Sequence, residues 1–335
     1  MKIYKKQKIL ITGGNGYIGS CFAKVASKKY NVFIIDKKKE NTFLRQKKIS
    51  FFNEDLNNLS RIKRIFFKIK PDVVVHLAGQ STIDFINIKK NYYIRDNINV
   101  TKNILKLCKI YNIKKLIFSS TASVYEEKKI PFKEKSRLKP NNLYGKTKLK
   151  NETDIIKFLK NSNTKYCILR FFNVCSSLVK EKIGEFHSPE THLIPKVINH
   201  LIKKKKIFVY GYNYNTKDGT AIRGFIHIKD VINGIFKAID FLDKNKSEIF
   251  NLGSASKISV MEIINKSSQL LKIKPLIKVK KRRVGDLPIL TCNIQKSKKR
   301  LRWFPKNSTL KKIIIDEIKW QKYLKQKKYK RIFYN

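Results

Sequence analysis

Ile9-Leu-Ile-Thr-Gly-Gly-Asn-Gly-Tyr-Ile-Gly-Ser20 runs an apolar strand straight into a turn with glycines at 13, 16 and 19. Gly13 permits the tight turn off the strand. Gly16 lets backbone approach a pyrophosphate, and Gly19 lets the next helix, opened by Tyr17 and Ile18, pack on the sheet with its first amides aimed at the anion. A second apolar run, Asn31-Val-Phe-Ile-Ile-Asp36, ends in an acid. A carboxylate there accepts hydrogen bonds from an adenosine ribose and disfavours a 2′-phosphate. Together the two segments predict a bound dinucleotide, NAD rather than NADP, with Lys37, Lys38 and Lys39 softening the preference.

Apolar strand-like runs recur at 8–12, 32–36, 49–52, 72–78, 115–120 and 166–171, and segments with helical spacing, such as Asn97 to Tyr111 and Lys146 to Leu159, lie between them. This alternation predicts an α/β fold, a doubly wound parallel sheet of Rossmann type. After Asn173 the rhythm breaks into loops and short elements, then turns helical from Leu310 to about Gln326. The expected division is 1–175 for the dinucleotide domain with its catalytic residues and 176–335 for a smaller α/β substrate lobe. The chain of 335 residues, 42% apolar, has material for two such cores.

No apolar run approaches the roughly 20 residues of a bilayer span, and the first strand begins within ten residues of Met1, so neither export nor membrane insertion is expected. Five cysteines stand singly without C-x-x-C spacing, and His192 and His227 form no ligand cluster with them. A reduced, cytoplasmic, metal-free protein is the expectation. The net charge of +52 would attract nucleic acid or anionic membrane through counterion release. However, 64 of the 76 basic residues are Lys and only 12 are Arg, and they fall in short runs such as 37–39, 203–206 and 296–299 without interleaved aromatics. A solvated surface of compositional origin accounts for them without a specific nucleic-acid partner.

Leu116-Ile-Phe-Ser-Ser-Thr-Ala-Ser-Val-Tyr125 is an apolar strand ending in hydroxyl residues, and Asn142-Leu-Tyr-Gly-Lys-Thr-Lys148 follows. On a helix, Tyr144 and Lys148 at i and i+4 share one face, so the ammonium is expected to lower the phenol pKa and make Tyr144 a base. Thr121, at the C-terminal strand edge, can hydrogen-bond the same substrate oxygen.

These residues give the chain a resemblance to the extended short-chain dehydrogenase/reductases, and within them to the UDP-glucose 4-epimerase branch. It covers nearly the whole chain. Thr12-Gly-Gly-Asn-Gly-Tyr-Ile-Gly-Ser20, Val75-His-Leu-Ala-Gly79, Phe118-Ser-Ser-Thr121 and Tyr144-Gly-Lys-Thr-Lys148 match cofactor and catalytic motifs. Gly184-Glu185, Glu190-Thr-His-Leu-Ile-Pro195, Asp218-Gly-Thr220 through Arg223 to Ile226-His227, Asn251-Leu-Gly253 and Arg282-Arg-Val-Gly-Asp286 follow in family order. The resemblance implies redox-neutral epimerisation of a UDP-hexose, UDP-glucose to UDP-galactose, through a 4-keto sugar with NAD permanently held and Tyr144 taking the O4 proton. It assigns Asp55-Leu56 to adenine, and Ala78, Gly79, Asn97 and Phe171 to the cofactor, Phe171 replacing a frequent Tyr. Asn173, His192-Leu193, Arg223, Arg283 and Asp286 would hold UDP, Leu290 would set the width of the hexose pocket, and a homodimer is implied.

Three departures from the family pattern bear on loop geometry: Gly224-Phe225 replace an Asp-Tyr, Glu126 replaces a Gly, and Ser254-Ala-Ser256 lacks a second Gly. His76 reads as a structural strand-end residue. A 4,6-dehydratase would need an acid pair after Thr121, where Ala122-Ser123 stand. A 4-epimerase or decarboxylase of another UDP-sugar (UDP-glucuronate, UDP-pentose, UDP-N-acetylhexosamine) is the nearest alternative, and a basic nucleic-acid-binding protein on a retired enzyme fold is the alternative from another class.

Overall fold

Runs of β-branched and aromatic residues form the strands of one sheet: Lys8–Thr12 (β1), Asn31–Asp36 (β2), Ile49–Asn53 (β3), Val73–His76 (β4), Lys115–Thr121 (β5), Lys165–Phe171 (β6) and Glu248–Leu252 (β7). The computed structural model describes residues 6–40, 42–44, 48–81, 90–126, 131–187, 190–283 and 287–326. The strand order is β7-β6-β5-β4-β1-β2-β3, and β1 to β6 pair in parallel. β4 and β5 are buried along their whole length, as strands covered on both faces must be. From β1 the chain winds outward to β3, then returns to β4 on the other side. That reversal opens a crevice beyond the carboxyl ends of β1 and β4, where open α/β sheets bind ligands.

Helices Tyr17–Ala26 (α1), Leu59–Ile69 (α2), Val100–Ile110 (α3) and Leu143–Leu159 (α4) alternate with these strands. The apolar stripes of α2, α3 and α4 close one core in which Leu10, Val74, Leu116, Phe118 and Ile168 meet Ile62, Phe66, Ile104, Leu107 and Ile155. α3 continues a helical turn at Lys90–Tyr93 through a π-helical stretch, Ile94–Asn99. π-bulges of this kind cluster at functional sites.

The chain divides into two units, the first comprising Met1–Glu126, Glu134–Phe171 and Gly234–Phe250, the second Glu127–Lys133, Phe172–Asn233 and Asn251–Asn335. The sequence reading places one boundary after Cys175. Residues 234–250 nevertheless lie with the first unit, because β7 takes the open edge of β6. In the second unit, Leu193–Ile202 (α5), the first residues of Ile228–Lys244 (α6), Val260–Leu271 (α7) and Leu310–Gln326 (α8) accompany short strand pairs. α5, α7 and α8 pack on one another around Ile198, Ile263, Ile264, Ile313 and Ile314. α7 starts with a capping box, Ser259 and Glu262 each bonding the other's backbone amide. Among the described residues no helix is long and apolar enough to cross a membrane, and all five cysteines are buried and unbridged.

Candidate active site

The glycine turn has the geometry that its sequence predicts. Gly13 has φ +69°, and a Cβ there would lie 2.6 Å from the Ala78 backbone. A Cβ on Gly19 would strike the Gly13 carbonyl and sit 2.8 Å from Gly14 Cα. Gly16 is the N-cap of α1 and offers no capping side chain. The nearest atom to a Cβ on Gly16 would be 3.4 Å away, so that face has room for a ligand. Uncapped amides on an open face at a helix N-terminus suit a phosphate. Gly79 has φ +149°, and a Cβ there would meet the Asn97 amide oxygen at 2.7 Å. Asp36 ends β2, half-buried, with Oδ2 accepting from the Asn15 amide and Oδ1 from the Lys38 amide, each at 3.0 Å. Burial raises its pKa, and the two amides counter the rise. Each oxygen keeps acceptor capacity for a ribose hydroxyl. Asp55 Oδ1 accepts from the backbone and side chain of Asn57, both at 2.9 Å, and Leu56 is buried beside it. The backbone cradle, the open face and the acceptors fit a dinucleotide.

Tyr144 comes to Thr121 through two local devices. Asn142 caps α4 by accepting from the Gly145 amide at 2.8 Å, which puts Tyr144 in the first turn. Gly145 has no side chain because a Cβ there would strike the Ser123 carbonyl, so α4 lies directly against the turn after β5. The Thr121 side chain, at the end of β5, acts on the Tyr144 phenol and lowers its pKa, and Thr121 Oγ1 accepts from the Ser123 amide at 3.1 Å. Lys148 is 4% exposed; its Nζ donates to the Ser119 carbonyl at 2.9 Å and lies 6.0 Å from the centre of the Tyr144 ring.

The expected lowering of the phenol pKa is corrected by this geometry. Burial pushes Tyr144 up to about 12, the Thr121 side chain only partly opposing it, and burial pulls Lys148 down to about 8 against the pull of Glu152. Desolvation outweighs an ammonium that is already committed to a carbonyl. Glu152, one turn beyond Lys148, accepts from Ser120 and forms a buried two-point pair with Arg170, at 3.0 and 2.6 Å. This anchor of α4 escaped the sequence reading, since nothing in the spacing of Glu152 and Arg170 links them before β5 and β6 pair.

Asn97, in the π-helical stretch, accepts from the Gln80 amide at 2.7 Å and donates to Thr147 at 3.0 Å, so its side chain braces α4 against the Gly79 loop. His76 is buried between Thr12 and Thr101, at 2.6 and 3.0 Å. Thr101 spends its hydroxyl hydrogen on the Asn97 carbonyl, so Nε2 is the protonated nitrogen and Nδ1 accepts from Thr12. Burial, reinforced by Lys148, lowers the His76 pKa to about 3. Phe171 ends β6 beside Thr121 in register.

In the second unit, strand 222–223 pairs with 258–259 and 289–290, placing Arg223 and Leu290 side by side. The Arg223 guanidinium donates to the Leu287 and Ile222 carbonyls at 2.7 and 2.8 Å, and Asn173 donates to the Gly224 carbonyl at 3.5 Å. Gly224 has a physical reason: a Cβ there would lie 2.5 Å from the Ser254 carbonyl. Phe225 is buried in the α5/α7/α8 core, and Ser254 and Ser256 bond each other at 2.7 Å in place of the missing glycine. Glu126, in the first unit, donates its amide to the Arg137 carbonyl at 3.0 Å. Arg283 is exposed and stacks on Tyr210 at 4.1 Å. Asp286 lies outside the described residues.

Leu193 opens α5, but the His192 imidazole turns to Glu185 and Glu190, with Nδ1 at 2.9 and 3.2 Å from their Oε1 atoms. Burial lowers its pKa and the two carboxylates outweigh that, raising it to about 10. Glu185, His187, Glu190 and His192 thus form a cluster of metal-ligand type. A search for Cys/His spacing misses it; the spacing Glu-x-His-x-x-Glu-x-His was the available signal.

A family model described as the NAD dependent epimerase/dehydratase family matches residues 9–253. A UDP-glucose 4-epimerase of Lactobacillus helveticus is 33% identical over 320 residues, covering 94% of this chain and 97% of that protein. The UDP-glucose 4-epimerase from Brucella ovis, solved in complex with NAD, superposes with a TM-score of 0.87 at 28% identity, covering 93% of this chain and 97% of that one. That from Bifidobacterium longum, solved with NAD+ and UDP, gives 0.86 at 28% identity over 94% and 98%. With the glycine cradle and Thr121 on one sheet and Tyr144 opening the helix beside it, the chain belongs to the NAD dependent epimerase/dehydratase family.

Proposed function

We propose that this chain is an NAD-dependent UDP-glucose 4-epimerase, and the observation that carries the reading is that Thr121 ends β5 of the sheet that bears the glycine cradle while the Asn142 cap sets Tyr144 in the first turn of α4, against the turn that follows Thr121. When bound, NAD supplies a reversible hydride acceptor. The residues that hold it are the amides of 13–19, Asp36, Asp55-Leu56 and the Ala78-Gly79 turn braced by Asn97. Tyr144 takes the proton from O4 of the hexose and returns it to O4 of the epimer, so no net proton or electron is consumed. Thr121 fixes the phenol and the O4 oxygen to one position. Lys148 supplies positive charge next to the phenol once the site is loaded, with Ser119 holding its stem in place.

Asn173, Leu193, Arg223, Arg283 and Asp286 are the residues assigned to UDP. A diphosphate calls for guanidinium forks and main-chain amides, which this set provides. The His192 imidazole is already engaged with Glu185 and Glu190, so its contribution is through the backbone at the start of α5. Leu290, in register with Arg223, is the residue assigned to the width of the hexose pocket. The enzyme works as a homodimer in the cytoplasm; Tyr92, Ile110, Ile156 and Phe158 on helices of the first unit leave 52, 55, 40 and 42% of their surface exposed, which suits a self-interface.

The test is to denature the purified protein and identify the dinucleotide released, then to follow UDP-galactose to UDP-glucose with no cofactor added. Stoichiometric NAD and interconversion are expected. Turnover of UDP-glucuronate or UDP-N-acetylgalactosamine in place of UDP-galactose would replace the substrate, and release of no dinucleotide would overturn the cofactor reading.

A further inference from the structure

Four potential ligands in one short stretch of the second unit, Glu185, His187, Glu190 and His192, place one donor atom each within 4.8 Å of all the others. The His192 and His187 Nδ1 atoms lie 2.9 and 3.5 Å from Glu185 Oε1, and Glu190 Oε1 lies 3.2 Å from His192 Nδ1. Tetrahedral bonds of about 2.0–2.2 Å put ligand atoms about 3.4 Å apart, a spacing that these distances bracket.

The surroundings ask independently for a cation. Glu185 is 1% exposed, and its Oε2 is buried with no hydrogen-bond partner among the described residues. Glu317 of α8 is 0% exposed and its Oε2 is in the same state. Buried carboxylates are strongly penalised unless paired or bound to a metal.

We propose that Glu185, His187, Glu190 and His192 form a four-coordinate site for a zinc-like divalent cation that fastens the segment before α5 to the C-terminal helix α8. Two carboxylates cancel the dipositive charge and two neutral imidazoles complete the set. Imidazole nitrogen favours zinc, cobalt or nickel over magnesium and calcium, which take oxygen. The α8 end of the link is already in place, since Trp320 donates to the Glu185 carbonyl at 2.6 Å. The site takes no part in hydride or proton transfer.

The test uses tag-free full-length protein, stripped with a chelator and titrated with zinc chloride by calorimetry and with cobalt(II) by visible absorption. The expected result is one ion per chain, the intense d–d bands of four-coordinate cobalt, and a higher melting temperature with zinc. His187→Gln and Glu190→Gln should each weaken binding at least about tenfold, the scale on which altered metal shells act. Both variants should keep the wild-type far-UV spectrum and dinucleotide content. Wild-type affinity weaker than about 10⁻⁴ M, a six-coordinate cobalt spectrum, or undiminished binding in both variants would overturn the site and leave an ion-pair cluster. Because none of these readouts is epimerase activity, failure here leaves the proposed function standing, and the reverse.

Discussion

Tyr144 and Lys148 hold the protonation states that burial favours, a phenol pushed up to about 12 and an amine pulled down to about 8. Removing the phenolic oxygen by Tyr144→Phe should lower kcat by about 10²-fold or more, the scale of a lost proton-transfer group, while UDP affinity measured by calorimetry stays near wild type. Thr121→Val removes a hydroxyl that lowers the phenol pKa, so the rise of kcat with pH should move to higher pH. His76 gives a stability prediction with a definite sign. Its folded pKa, about 3, lies below the ordinary 6.5, so between these values the unfolded chain binds the extra proton. Stability should therefore fall as pH drops from 6.5 toward 3. Urea midpoints across that range should show a shallower slope in His76→Asn.

Among the elements, the turn into α1 and the strand pair 222–223/289–290 carry the sharpest consequences. Gly19→Ala would drive a methyl into the Gly13 carbonyl, an overpacking worth about 1–3 kcal/mol. The variant should purify with less dinucleotide and a lower melting temperature. Leu290 and Arg223 are register partners in parallel strands and so share a face. Leu290→Ser should raise kcat/KM for UDP-N-acetylgalactosamine relative to UDP-galactose roughly tenfold, within the 1–3 kcal/mol range of hydrophobic-pocket discrimination; no change would show that Leu290 does not gate the sugar. The strands around the cofactor were legible because buried parallel strands read as unbroken apolar runs, and the predicted 115–120 and 166–171 fall within one residue of β5 and β6. β7 was not foreseen. Glu248-Ile-Phe-Asn-Leu252 is short and follows the lysine-rich end of α6, and only its pairing with β6 makes it a strand. Tyr144 and Lys148 could be found because i, i+4 spacing converts directly into a shared helix face, and Thr121 because it ends a buried strand. The Glu185–His192 cluster was missed because its residues meet through a loop conformation that no helical or strand periodicity encodes, so only the close spacing of its four ligand-type residues signalled it.

For the molecule as a whole, +52 charges set its behaviour toward polyanions. Any binding to duplex DNA should ignore sequence and fall by about 10³–10⁵ between about 50 and 200 mM salt, as counterion release dictates. Gel-shift titrations with specific and scrambled competitors at both salts check this, and sequence-selective binding surviving at the higher salt would point to a dedicated nucleic-acid site. The return of the chain to complete its sheet has a bearing on biosynthesis. Until Leu252 leaves the ribosome, β6 ends in a row of unpaired amides and carbonyls flanked by apolar side chains, a template for another nascent chain. At translation speeds of about 5–20 residues per second, the stretch 172–247 keeps that edge open for on the order of ten seconds. Production of this protein is therefore most vulnerable to aggregation during elongation, and slower synthesis across 172–247 lengthens the exposure while chaperone capacity at that moment shortens it.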